Sequence, residues 1–356
     1  MIVRTLSLQY FRNHHKKNFD FGKTTIIIGH NTAGKTNILE SLYILSHGSS
    51  FRATLDADVI EEGQDFTKIV AEIVSSDDKA TLTSSFASTG GTYLSKKYQV
   101  NGVARTFKTF SDYFYTVLFT PQDIEIITST PSLRRKYIDS ILLKSHREYR
   151  IALNKYEKAL RQRNRMLHDS KTGKKDYKRA DFEYWEALLV ENGEIIHNFR
   201  QEFVSYVNTF LKEVFQFQME YDHSIISTER LFKYHFEELS AGVTLVGPQR
   251  DDYKFLFNPA ITSKTKRTHE VREYGSRGEQ RLTILQLKLI EISYLRQATK
   301  ELPVLLLDDI FSELDEENID KIYHFLNEQQ TIITTTHEEF VPKEILKAQN
   351  LQIIHL

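Results

Sequence analysis

The sequence predicts an α/β fold, a mixed sheet flanked by helices, that carries an inserted antiparallel helical arm. Three observations predict it. An apolar segment, TTIIIG (24–29), runs through a glycine-containing loop into a segment with helical spacing. After Pro131 the period changes to a long 4-3 helical alternation. From about residue 240 the α/β character returns, and the chain ends in two further apolar runs, VLLLDD (304–309) and TIITTT (331–336).

Composition bounds what such a chain can be. At 356 residues the length suits roughly two domains. Apolar residues make up 40% and charged residues 27%, an ordinary globular balance. No apolar run approaches the ~18 residues a membrane span needs. The N-terminus MIVRTLSLQYFRNHHKK alternates and has no small-residue cleavage site, so it reads as a strand and not as a signal peptide. The absence of cysteine excludes disulfides, thiolate zinc sites and cysteine nucleophiles. A soluble cytoplasmic protein without a membrane partner is expected. With a net charge of −1, nucleic acid would have to be met by local patches. Leu133–Ala180 supplies one, with 16 Lys/Arg against 5 Asp/Glu.

Residues 1–132 read as the first part of the α/β head. TTIIIG is a buried strand, and from Thr36 to Leu45 the residues Ile38, Leu39, Leu42 and Leu45 stand at helical spacing. KIVAEIV (68–74), ATLTSSF (80–86) and YQVNGVARTF (98–107) follow as strands, with a hairpin turn at Asn101-Gly102. Residues 133–239 read as the arm. Tyr149, Leu153, Tyr156, Leu160 and Leu167 form one seam, with Arg163 at a position the repeat would fill. Trp185, Leu189, Asn192, Ile196, Phe199, Phe203, Tyr206 and Phe210 form the other, and HDSKTGKKDY (168–177) is the tip between them. Residues 240–356 read as the second part of the head.

Gly29-His30-Asn31-Thr32-Ala33-Gly34-Lys35-Thr36 matches G-x-x-x-x-G-K-[ST], between a strand and a helix, which is the context of a P-loop. Its glycines let successive backbone N–H groups curl around phosphates. Lys35 would reach the β- and γ-phosphates of ATP, and Thr36 would place its hydroxyl on Mg2+. A P-loop needs a carboxylate for that metal, and Asp308, at the end of VLLLD, supplies it. Asp309 would orient or deprotonate the attacking water. Ser276-Arg277-Gly278-Glu279-Gln280 opens a further long helix. Alone this is a commonplace N-cap. Lying ~25 residues before the Asp308 strand, after an insertion and with SELD (312–315) beyond, it fits the signature of an ATP-binding cassette (ABC) ATPase. There Ser276, Gly278 and Gln280 of one copy would complete the P-loop site of another. Gln122 in LFTPQD and His337 after TIITTT are candidates for contacts to metal-bound water and γ-phosphate.

The blocks YFRN (10–13), GKTNILESLYILS, SFR (50–52), PSLRRKYID (131–139), GPQRDD (247–252), YGSRGEQR and LLLDDIFSELD occur in the order found in the RecF family of bacterial recombination and repair ATPases, and the resemblance spans essentially the whole chain. The resemblance implies an ABC-type ATPase head with a short helical arm, SMC-like, dimerising on ATP and binding single- and double-stranded DNA. It implies action at single-strand gaps with RecR and RecO, promoting RecA loading in replication-fork repair and the SOS response. By motif, Gly29 to Thr36 hold the triphosphate, Asp308 and Asp309 serve metal and water, and Arg12 contacts the nucleotide. The chain departs from the family pattern at Thr32-Ala33, where a glycine is commoner, and at Gln249, where His is usual. Asp309 stands where most cassette ATPases have Glu, so slow, DNA-stimulated hydrolysis is expected.

The arm residues expected at DNA phosphates are Arg134, Arg135, Lys136, Lys174, Lys175, Lys178 and Arg179. Two other functions compete with an ATP-driven switch. One is a structural DNA clamp that binds ATP and barely hydrolyses it. The other is the ATPase head of a phage-defence or nuclease system, which usually carries a separate acidic nuclease module.

Overall fold

The first twenty residues fold into a hairpin of β1 (Ile2–Phe11) and β2 (His14–Asp20), and β3 (Thr24–Ile28) follows at once. The computed structural model describes residues 1–76, 78–88, 94–257, 269–312, 328–346 and 351–356. Of the expected SELD stretch, 313–315 lie outside the described residues. β4 (Phe66–Val74), β5 (Lys79–Ser88), β6 (Leu94–Val100) and β7 (Val103–Arg105) extend the hairpin into an antiparallel sheet ordered β2-β1-β4-β5-β6-β7. Asn101 and Gly102 both have positive φ and join β6 to β7, as their dipeptide predicts.

A second, all-parallel sheet takes β3 and the later apolar segments. β8 (Thr116–Phe119), β11 (Val304–Asp308), β12 (Thr331–Thr335) and β13 (Leu351–His355) are ordered β13-β3-β12-β11-β8. β3, β8, β11 and β12 are buried at every position, which is why their sequences are runs and not alternations. The expected mixed α/β head is thus built from one antiparallel and one parallel sheet. The helix Lys35–His47 shares a core with residues of both, with Ile38, Leu39, Leu42 and Leu45 fully buried beside Leu6, Leu8, Ile27, Leu306 and Ile332. Buried Gln330 joins the sheets through hydrogen bonds with Val3 N, Val3 O and Gly22 O.

The chain forms two compact units, one of residues 1–123 with 285–356 and one of 124–284. These limits differ from the sequence boundaries near 132 and 240. The stretch after 240 packs with the arm because β10 (Asp252–Phe257) pairs with β9 (Phe217–Asp222), and Asp252 binds Arg134 of the helix Pro131–Ser145.

The second unit contains the expected helical hairpin, Arg147–Lys171 and Arg179–Thr209. Its seam is rotated from the one apolar residues suggest. Of the expected residues Tyr149, Tyr156 and Leu167 are buried on one helix, joined by Ala152, Ala159, Arg163 and Met166, with Leu153 and Leu160 at the margin. On the other the expected Leu189, Asn192, Ile196 and Phe203 are buried together with Phe182, Glu186, Gly193, Arg200 and Val207. Charged residues occupy seam positions because they pair: Arg163 donates to Glu186, Glu238 and Thr244 Oγ1.

Candidate functional site

The P-loop leaves β3 at Ile28 and enters its helix at Lys35. Gly34 has φ +99°, and a Cβ there would lie 2.6 Å from Asn13 Oδ1 and 2.7 Å from the His14 ring, so only glycine fits. Thr32 also adopts a left-handed backbone, φ +75°, an unfavourable place for a β-branched residue. The departure at Thr32 is therefore a strained position. His30, Asn31 and Thr32 are exposed, and Gly29 and Ala33 are half-buried. Lys35 Nζ lies inside the loop, donating to Gly29 O at 2.6 Å and His30 O at 3.0 Å. Burial lowers the Lys35 ammonium below its usual range, with Asp309 and Asp308 acting in the opposite sense.

The two residues expected at the metal meet. Thr36 Oγ1 donates to the Asp308 carboxylate at 2.9 and 3.1 Å, and Thr334 Oγ1 donates to its Oδ1 at 2.7 Å. β11 and β12 lie side by side in the parallel sheet, and this register brings Thr334 opposite Asp308. Asp309 turns out of the strand at φ +50°, and its N–H donates to Thr334 O and Oγ1. Among the described residues no group of three His, Asp or Glu could hold a metal by itself. A hydroxyl and one carboxylate suit Mg2+, which takes few protein ligands and completes its shell with phosphates and water.

Behind the loop lies a network that motif reading missed. Glu40, fully buried on the Lys35–His47 helix, accepts from Arg12 Nε and a terminal nitrogen at 3.0 and 2.6 Å. It also accepts from Arg52 at 3.1 and 2.8 Å and from Ser50 Oγ. Burial pushes the Glu40 carboxyl up, but the bonds from Arg12, Arg52 and Ser50 outweigh it and hold the group below the usual carboxylate range. Arg12, expected at the nucleotide, additionally donates to Asp58 O. Arg52 donates to Asn37 Oδ1, Asn37 donates to Asn13 Oδ1, and Asn13 donates to Thr32 O. A signal was present in the sequence: YFRN, KTNILES and SFR each carry one part of this assembly.

The signature segment lies in the second unit. Ser276 and Glu279 form a reciprocal capping box at the start of the helix Arg277–Thr299. Ser276 N–H and Oγ both donate to Glu279 Oε2 at 2.8 Å, and Glu279 N–H donates back to Ser276 Oγ at 3.3 Å. Gln280 turns inward and donates to Val271 O, Arg272 O and Gly275 O, fixing the preceding turn. Gly278 differs from Gly34. Its φ is not positive, and a Cβ there would meet only Ser276 Oγ, at 4.0 Å.

Gln122 and His337 are both exposed. Gln122 sits in the Pro121–Ile124 turn, which Asp123 fixes by accepting from Thr120 N–H and pairing with buried Lys288.

The expected DNA contacts separate into two groups. Lys136, Lys174, Lys175 and Lys178 are exposed. Arg134 is a correction: it is 2% exposed, makes a two-point pair with Asp252, and donates to Ile127 O and Ser129 O, leaving no face for a phosphate. Arg135 donates to Asp251 O, and Arg179 pairs with Glu186. The GPQRDD block finds its place here as a structural knot. Arg200 binds Asp139, Asp251 and Pro248 O, Tyr221 donates to Asp251, and Tyr156 donates to Gln249.

The sequence pattern of the RecF/RecN/SMC N terminal domain matches residues 2–354. The DNA replication and repair protein RecF of Agathobacter rectalis is 32% identical over 96% of this chain and 94% of its own length. The solved recombination mediator protein RecF-ATP, of the RecFOR pathway, is similar with a TM-score of 0.84 and 29% identity over 96% of this chain and 93% of that one. An Smc head bound to the C-winged helix domain of ScpA shares the fold, with a TM-score of 0.50 and 17% identity over 96% of this chain and 91% of its own. With the P-loop, Asp308 and signature segment in place, the chain belongs to the RecF/RecN/SMC N-terminal domain family of ABC-type ATPases, where its relatives are RecF proteins of DNA replication and repair.

Proposed function

We propose that the chain is an ATP-gated DNA-binding switch of recombinational repair. The observation that carries this reading is the contact of Thr36 with Asp308 beneath a P-loop, since both groups have to meet at one triphosphate. ATP lies along the loop, its phosphates taken up by successive backbone N–H groups and by Lys35 Nζ in exchange for Gly29 O and His30 O. Thr36 and Asp308 would hold Mg2+, whose chemistry is to offset phosphate charge. Asp309 orients a water for in-line attack on the γ-phosphorus. The bond to the ADP oxygen breaks, and the water's proton passes through Asp309 to solvent. The shorter reach of Asp than Glu favours slow turnover.

Ser276 and Gly278 of a second copy close the site over the γ-phosphate, so ATP makes a homodimer and hydrolysis opens it. The exposed residues Lys136, Lys174, Lys175 and Lys178 meet DNA phosphates. Lys158, Arg161 and Arg165, exposed in a row on the Arg147–Lys171 helix, continue that surface. The solved recombination mediator RecF-ATP of the RecFOR pathway supports a role in recombinational repair, and action with RecR and RecO at gapped DNA and RecA loading in the SOS response are the finer roles proposed. A cytoplasmic site of action fits this, and no helix of the described residues is long and apolar enough to cross a membrane.

Asp309→Asn tests the switch. The variant should bind ATP and gapped DNA as wild type does but fail to release the DNA over the time of several wild-type turnovers. Release at the wild-type rate would show that hydrolysis does not drive it, leaving a structural clamp.

A further inference from the structure

We propose that Glu40 is a positioning residue that anchors two arginines and, through Arg52 and an asparagine relay, sets the conformation of the P-loop. This rests on the reading that the loop binds ATP. Three separated segments supply the parts. Arg12 follows β1 at φ +54°, Ser50 and Arg52 follow the helix Lys35–His47, and Glu40 lies on that helix. All converge on one carboxylate with no exposed surface, which a lone buried charge would not tolerate. From there the bonds run outward without a break: Glu40 to Arg52, Arg52 to Asn37, Asn37 to Asn13 and Asn13 to Thr32 O.

The end of the relay is the strained residue. Thr32 holds φ +75°, and such a backbone persists only where its surroundings fix it. Asn13 also flanks Gly34, where any side chain would strike its Oδ1, and His14 Nε2 lies 3.1 Å from Gly34 O. Both bends of the loop are therefore braced from the same side. Glu40 itself has no exposed surface to offer a ligand and acts only through its partners. Two guanidiniums on one carboxylate also leave one surplus positive charge beside the loop, on side chains that are 22% and 39% exposed.

This arrangement gives Glu40→Gln a sign that separates positioning from charge. Removing a negative charge near an anion site should tighten ATP binding if only the net field matters. If Glu40 positions the loop, binding weakens in spite of the added positive charge. The experiment is a titration of the full-length protein with a fluorescent ATP analogue, alongside steady-state hydrolysis and nucleotide-free melting. Glu40→Gln should raise Kd and KM about tenfold, the loss of roughly one charge-assisted hydrogen bond, with a smaller change in kcat. Glu40→Asp, which keeps the charge, should recover part of the affinity. Asn37→Ala cuts the relay beyond the ion pair and should weaken binding in the same sense while melting as wild type, so the proposal stays testable if Glu40→Gln folds poorly. Equal or tighter binding by a folded Glu40→Gln, or wild-type affinity in Asn37→Ala, overturns the proposal. Failure of wild type to bind the analogue overturns the nucleotide reading itself, and this inference with it.

Discussion

Two arginine clusters, one in each unit, use the same chemistry to opposite ends. Around Glu40 two guanidiniums share one carboxylate, and both remain partly open to solvent. In the second unit Arg134 and Arg200, each only 2% exposed, pair with the carboxylates of Asp139, Asp251 and Asp252, and Arg135, which donates to the Asp251 backbone O, brings the charges to three against three. The first cluster keeps spare charge beside a loop that takes up an anion. The second cancels its charge inside and holds helices to a β-ribbon. An arginine can be assigned to a ligand or to the core only when its carboxylates have been counted.

The largest difference between the two clusters is expected at Arg200. Arg200→Met leaves Asp139 and Asp251 without their cation and should cost about 3–5 kcal/mol, read by urea unfolding. Arg52→Met leaves Arg12 still paired with buried Glu40 and should cost less than Arg200→Met while weakening nucleotide binding. Equal destabilisation by the two would remove the distinction. Next in size is Lys35→Met, which should keep the fold and weaken ATP binding by at least ~100-fold, as the loss of two hydrogen bonds from a charged donor implies. Isothermal titration checks it.

These effects follow what sequence could and could not carry. Gly29–Thr36 and VLLLDD were legible because each is a contiguous stretch whose chemistry depends on local backbone form. β3, β11 and β12 were legible because burial on both faces leaves nothing but apolar residues. Glu40 and Arg134 were not. Both are charged, and a charged residue reads as solvated until its partner is known, 28 positions away for Arg12–Glu40 and 118 for Arg134–Asp252. The rotated seam has the same origin: Glu186 and Arg200 hold seam positions that an apolar pattern passes over.

Smaller effects sharpen the picture of the loop. Burial holds His14 below its ordinary value of 6.5, so its neutral form is favoured in the folded state. Its contribution is complete above about pH 6.5 and is lost as pH falls through the lower folded value. Stability should therefore decline from pH 7 to 5, and His14→Gln should flatten part of that decline in denaturant titrations. Gly278→Ala is the mildest change. With open space for its Cβ, it should stabilise the free chain by up to ~1 kcal/mol, measured by thermal unfolding, yet weaken ATP-driven association.

The most direct test of the account is sedimentation of wild type and Ser276→Arg with and without ATP. Wild type should shift from monomer to dimer on ATP, whereas Ser276→Arg should bind ATP equally well and stay monomeric. An ATP-dependent dimer of Ser276→Arg would contradict this.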